Sequence, residues 1–116
     1  MPKAAHMAKM LARTGFVVAF LLGLGALLGV YADVGAVLWL HIAFGLVFLV
    51  GAWLVTTEPA PRRRLTQFGA GLGTVGALLI VGRSLFWHGL SPWWHIVAMV
   101  LAVGLLEMGA ARARRS

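Results

Sequence analysis

Between Arg13 and Glu58 the chain carries one charged side chain, Asp33; between Arg64 and Glu107 it carries one, Arg83. Stretches that apolar must be buried in a large core or dissolved in lipid. A chain of 116 residues cannot supply the core, because small domains leave much of their surface in water. This chain is 61% hydrophobic and 11% charged, with mean hydropathy +0.93, so its solvent is the bilayer. A hydrocarbon layer about 30 Å thick is crossed by about 20 apolar residues in a helix. Four such spans fit, at approximately 13–31, 36–56, 65–87 and 92–111. The expectation is an all-α integral membrane four-helix bundle, forming one transmembrane domain over residues 1–116.

The connections pair the spans into two antiparallel hairpins. Asp33-Val34-Gly35 reads as a very short turn, with Asp33 capping the second span. His88-Gly89-Leu90-Ser91-Pro92 turns the second hairpin, with Ser91 as N-cap and Pro92 at the first helical position. Thr57 to Arg64 holds two prolines and three arginines and reads as an aqueous loop. Met1 to Ala12 is a basic lead-in, expected as a short interfacial helix or a frayed end. The run Gly15–Val30 is long for a signal-peptide core and aligns with a later span, so it is read as a true helix.

The net charge of +7 does not mark a nucleic-acid binder. Nine of its ten lysines and arginines cluster as Lys3, Lys9 and Arg13, as Arg62, Arg63 and Arg64, and as Arg112, Arg114 and Arg115, all flanking apolar spans; Arg83 is the exception. Such clusters favour the cytoplasmic side and anionic headgroups. The expected location is the cytoplasmic (inner) membrane of a prokaryote, multi-pass, with N- and C-termini cytoplasmic. Tyr31, Trp39, Trp87, Trp93 and Trp94 then gather at the outer boundary as an aromatic belt. The absence of cysteine excludes disulfides, thiolate metal sites and covalent CxxCH haem attachment.

Trp39-Leu40-His41-Ile42 returns as Trp93-Trp94-His95-Ile96, 54 residues later. The same offset pairs Gly15 with Gly69 and Gly35 with Gly89, and predicts an internal repeat. Gly23, Gly25 and Gly29 in the first span, and Gly69, Gly73 and Gly76 on one face of the third, are read as sites of close helix approach. They would also leave room for a flat cofactor.

A histidine inside a span is costly unless partnered, and intramembrane ionisable groups are functional candidates by default. The plainer role is a hydrogen bond to a carbonyl, a hydroxyl or water. His41 and His95 fall on helices of the same direction, His41 about 7–9 Å below the outer boundary at about 1.5 Å per residue. Imidazole suits haem iron, copper and zinc. Zinc wants three or four protein ligands, and no Asp, Glu or Cys lies near this depth. Two imidazoles complete a six-coordinate b-type haem, with Arg83 placed to meet propionates or simply to snorkel. The alternative metal is copper, with Met99 joining His95 at i,i+4, although Met99 reads more simply as core filler.

His41, His95 and Gly45, the last completing a His-x-x-x-Gly pattern, make the chain resemble small membrane b-type cytochromes such as the cytochrome b561-like four-helix proteins. Those families usually carry two histidine pairs for two haems, whereas this chain has one pair within its spans. The resemblance implies a single haem b and membrane electron transfer, with quinone as a possible redox partner.

The alternative function is a non-catalytic accessory or structural subunit of a larger respiratory or photosynthetic membrane complex, packed on another membrane protein or on itself. A small multidrug-type transporter ranks third, because no acidic residue precedes Asp33. No catalytic constellation stands out around Ser84, Ser91 or Thr56-Thr57. The chain is expected to be a redox subunit rather than an enzyme by itself.

Overall fold

A computed structural model describes residues 2–58 and 62–111, with side chains from His6 onward. Among the described residues there are four helices: α1 (Pro2–Leu27), α2 (Val34–Thr56), α3 (Arg63–Leu85) and α4 (Trp93–Ala110). There is no strand among the described residues. Each helix carries a stretch of 18 or more residues long and apolar enough to cross a membrane. Only 17, 11, 33 and 22% of the most apolar windows of these spans is buried, so most of their apolar surface faces outward. Large apolar side chains stand exposed along all four helices, Leu21, Leu46, Leu78 and Leu101 among them, a more extensive apolar surface than water-soluble monomers carry. The chain reads as a multi-pass membrane protein whose helices meet the lipid bilayer.

The chain divides into two compact units, 1–54 and 55–116. The first is the α1·α2 hairpin. Its seam is set by glycines that admit backbone. A Cβ added at Gly15 would lie 2.8 Å from Phe44 O and 2.9 Å from Phe48 Cα, and one at Gly51 would strike Ala12 and lie 3.0 Å from Ala8 O. Phe48, only 1% exposed, fills the seam, with its ring 5.5 Å from that of Phe16. Small residues at such crossings let transmembrane backbones close to van der Waals contact, which is what holds helices together in lipid.

The second unit holds the α3·α4 hairpin, built the same way. Gly69 faces Ala102 O at 2.8 Å from its would-be Cβ, Gly76 faces Ala98 Cβ at 3.0 Å, and Gly109 faces Thr66 N at 2.7 Å. Gly69, Gly73 and Gly76 are all buried, as expected of one packing face. Thr66 and Thr74 return their hydroxyls to helix carbonyls, Arg63 O at 2.7 Å and Ala70 O at 3.0 Å, so neither needs water.

Helix ends depart from the sequence reading at several places: α3 takes in Arg63 and Arg64 from the expected 57–64 loop and stops at Leu85 rather than Trp87, and both ends of the first span and the start of the second differ as well. The lead-in is not separate: α1 runs unbroken from Pro2, because Ala, Met, Lys and Leu dominate that stretch and Pro2 suits a first helical position. At its other end α1 stops at Leu27 rather than Tyr31. Gly29, at φ 75°, bonds Ala26 O, and Val30 N–H bonds Gly25 O at 2.9 Å. This paired pattern is a glycine-terminated Schellman stop. The connection is therefore 28–33, and Val34 and Gly35 already belong to α2. Asp33 caps α2 as expected, its Oδ1 accepting from Gly35 N–H at 3.1 Å. α4 begins at Trp93, so Pro92, at φ −65°, takes the N-cap place expected of Ser91, whose Oγ accepts from Trp93 N–H at 3.3 Å.

The α2–α3 linker crosses 59–61 and the basic tail begins at 112, so the two prolines and Arg112, Arg114 and Arg115 lie outside the described residues. Arg63 Nε donates to Thr56 O at 3.2 Å across that linker. Trp53, 46% exposed in the sixth turn of α2, lies outside the expected belt, near the opposite end of the helix.

Candidate functional site

His41 stands in the second turn of α2 and is half-buried. Its Nδ1 lies 2.7 Å from the Ala19 carbonyl oxygen of α1. The ring occupies the space that a side chain at position 23 would need, since a Cβ on Gly23 would fall 2.7 Å from Cε1 and 3.0 Å from Nδ1. Gly23 is thus the floor of the imidazole slot. The neighbouring glycines do other work: Gly25 makes room for the Tyr31 ring, whose hydroxyl would lie 2.8 Å from an added Cβ, and Gly29 turns the chain.

His95, in the first turn of α4 and also half-buried, repeats the arrangement in the other hairpin. Its Nδ1 lies 2.8 Å from the Gly76 carbonyl oxygen of α3. The acceptor is 19 residues before the histidine here and 22 before it in the first hairpin, so the offset of 54 does not carry over to the acceptors.

The chemistry of these two contacts is the same. A carbonyl oxygen can only accept, so Nδ1 carries the hydrogen in both residues, and in the neutral imidazole the lone pair then sits on Nε2. Each bond is worth about 1 kcal/mol net, and more is lost if either partner is left alone in lipid. Metal-ligating histidines are oriented by this device, in which the non-ligating N–H donates to a carbonyl or carboxylate.

The remaining candidates fall in different places. Met99 shares the α4 face of His95: its Sδ would lie 3.3 Å from a Cβ on Gly76, the residue whose carbonyl receives His95. It packs in the α3·α4 seam, as the core-filler reading expects. Gly45 has open space around its Cα, with nothing within 4 Å of an added Cβ, so close helix packing is not what keeps it glycine. Arg83 is half-buried, and its Nε donates to Leu90 O at 2.7 Å, clasping the α3–α4 connection. That bond uses one of the five guanidinium N–H donors. The Trp87 ring folds back over Gly82, where an added Cβ would have no room.

His88 is an exposed loop residue and His6 an exposed residue of α1. Glu107 is exposed near the end of α4. Among the described residues no group of three or more His, Cys, Asp or Glu side chains could hold a metal ion.

Sequence reasoning could not reach Ala19 and Gly76, whose contributions are backbone oxygens. Gly23 and Gly76 were visible as small residues in apolar spans, but their pairing with the two histidines was not. Comparison with family models, with curated proteins and with solved structures finds no match.

Proposed function

We propose that the chain is a membrane electron-transfer protein that holds one b-type haem through the Nε2 atoms of His41 and His95. The observation that carries this reading is the matched pair of Nδ1–carbonyl bonds, to Ala19 O at 2.7 Å and to Gly76 O at 2.8 Å. Both fix the tautomer that ligation through Nε2 requires. The donor set suits a bis-imidazole haem iron and suits zinc poorly, because among the described residues no group of three or more His, Cys, Asp or Glu could hold a metal ion. Copper held by His95 and Met99 is less well supported, since Met99 packs against Gly76 in the helix seam.

The bound group would supply one-electron redox chemistry at its iron. The chain's own part is to orient two imidazoles, to surround them with apolar helices that keep water away, and to offer cationic groups to propionates. Arg83 would serve there with the N–H donors not committed to Leu90. Quinol is the electron donor suited to lipid. The basic flanks support an orientation with both termini and the α2–α3 linker on the cytoplasmic side of a prokaryotic inner membrane. An internal duplication, giving each hairpin its histidine, belongs to the same reading.

A second reading has its own observation. Each imidazole is bonded within its own hairpin, and His41 also fills the slot over Gly23. Histidines of that kind staple helix pairs without any ligand, as an accessory subunit of a larger complex would require. Haem content separates the two. Pyridine haemochrome analysis of the detergent-purified chain, expressed with haem supplied, should give one haem b per chain. A haem-free preparation that remains fully helical would overturn the redox reading and favour the accessory one.

A further inference from the structure

Arg64, Gln67, Phe68, Gly71, Leu72 and Val75 follow one another on a single face of α3, at the spacing of successive helical turns. This face lies away from Gly69, Gly73 and Gly76, which are buried toward α4. From Gln67 down to Val75 it forms an open groove of about 500 Å³, closed on one side by Leu105 of α4. Gly71 gives the groove its depth, since nothing lies within 4 Å of a Cβ placed there. Phe68, 66% exposed, and Val75, 50% exposed, form its apolar walls.

The order of chemistry along the face is the order found in a phospholipid. Arg64 stands at the first turn and is exposed. One turn deeper is the Gln67 amide, about 4.5 Å along the axis, and Gly71 follows about 10 Å below Arg64, at about 1.5 Å per residue. Cation, amide donor and apolar notch thus match phosphate, ester carbonyl and hydrocarbon. Arg62 and Arg63 flank Arg64, no acidic residue lies in the first turn, and the helix N-terminus adds its positive dipole end. Such an end favours a lipid with net negative charge over a zwitterionic one, by about 1 kcal/mol for each basic residue near the surface. A second copy of the chain related by a two-fold axis along the membrane normal would bring the same three arginines toward their equivalents, which disfavours self-association here.

We propose that this face of α3 is a binding site for one anionic phospholipid, its phosphate on Arg64, its ester region at Gln67 and an acyl chain beside Gly71. The site is independent of the haem reading. Native mass spectrometry of the full chain tests it, with the protein released from micelles containing equal phosphatidylglycerol and phosphatidylcholine. The wild type should retain one phosphatidylglycerol. Arg64→Gln should lower the retained fraction about fivefold, the effect of losing one interfacial cation. Gly71→Leu, which has open space for its side chain, should lower it by displacing the acyl chain while leaving helicity unchanged. Lys9→Gln, on α1, is the charge-matched control and should bind as wild type does. The proposal is overturned if both groove variants retain phosphatidylglycerol at the wild-type level, or if phosphatidylcholine is held equally well. A dimer that Gly71→Leu abolishes would overturn it in favour of a second copy.

Discussion

The glycine contacts of the first hairpin lead to a quantitative test of what holds it together. In Gly15→Ala the new methyl group would lie 2.8 Å from Phe44 O and 2.9 Å from Phe48 Cα, whereas ordinary contact begins at 3.4 Å. The obstacles are backbone atoms, which no rotamer change can move, so α1 and α2 must part locally by half an ångström or more. A gap of about 0.5–1 Å forfeits a quarter to a half of each dispersion contact it opens. Overpacking of this kind costs about 1–3 kcal/mol. Alanine returns up to about 1 kcal/mol through its better helix propensity. Even with that gain in full, the net loss reaches about 2 kcal/mol, a factor of about 30 in the unfolding equilibrium. Gly45→Ala is the matched control on α2: nothing lies within 4 Å of its added Cβ, so it should be neutral or stabilise by about 0.5–1 kcal/mol. Denaturing-detergent titration of the purified chain, followed by circular dichroism, reads both. If Gly15→Ala proves as stable as Gly45→Ala, the hairpin is not held by backbone contact at Gly15 and the reasoning fails.

Two further outcomes follow from the site. Arg83→Met keeps the aliphatic stem but removes the donor to Leu90 O; amide exchange across 86–92 should speed up severalfold while helix content stays constant, and unchanged exchange would show that the clasp does not order this connection. Gly23→Ala places a methyl group 2.7 Å from His41 Cε1, so the imidazole must shift and its bond to Ala19 O must lengthen. With haem bound, that displacement should move the α band or the midpoint potential, whereas Gly104→Ala, on a face with open space, should leave both unchanged.

The features legible in the sequence were those fixed by local chemistry. Four apolar runs bounded by Asp33, the arginine triplet and Ser91-Pro92 yield four helices because hydropathy and capping act over a few neighbouring residues. Gly69, Gly73 and Gly76 announced a packing face for the same reason. The stop at Leu27 was missed because Gly29 sits within an apolar run, where its left-handed backbone competes with a strong hydropathy signal for the boundary. The continuous start at Pro2 was readable from the Ala- and Met-rich lead-in but was outweighed by its charge. At the site, His41 and His95 were visible as costly residues, but their partners were not. Ala19 and Gly76 contribute carbonyl oxygens, which every residue has, and only the register of helix on helix selects them. The Arg83–Leu90 clasp was hidden in the same way.

The most direct test of the central claim is a reduced-minus-oxidised absorption spectrum of the purified wild type beside His41→Ala and His95→Ala. Sharp α and Soret bands are expected in the wild type, lost or shifted in both variants, with helicity retained. Bands that survive both substitutions unchanged, or a colourless wild type expressed with haem supplied, would contradict that claim.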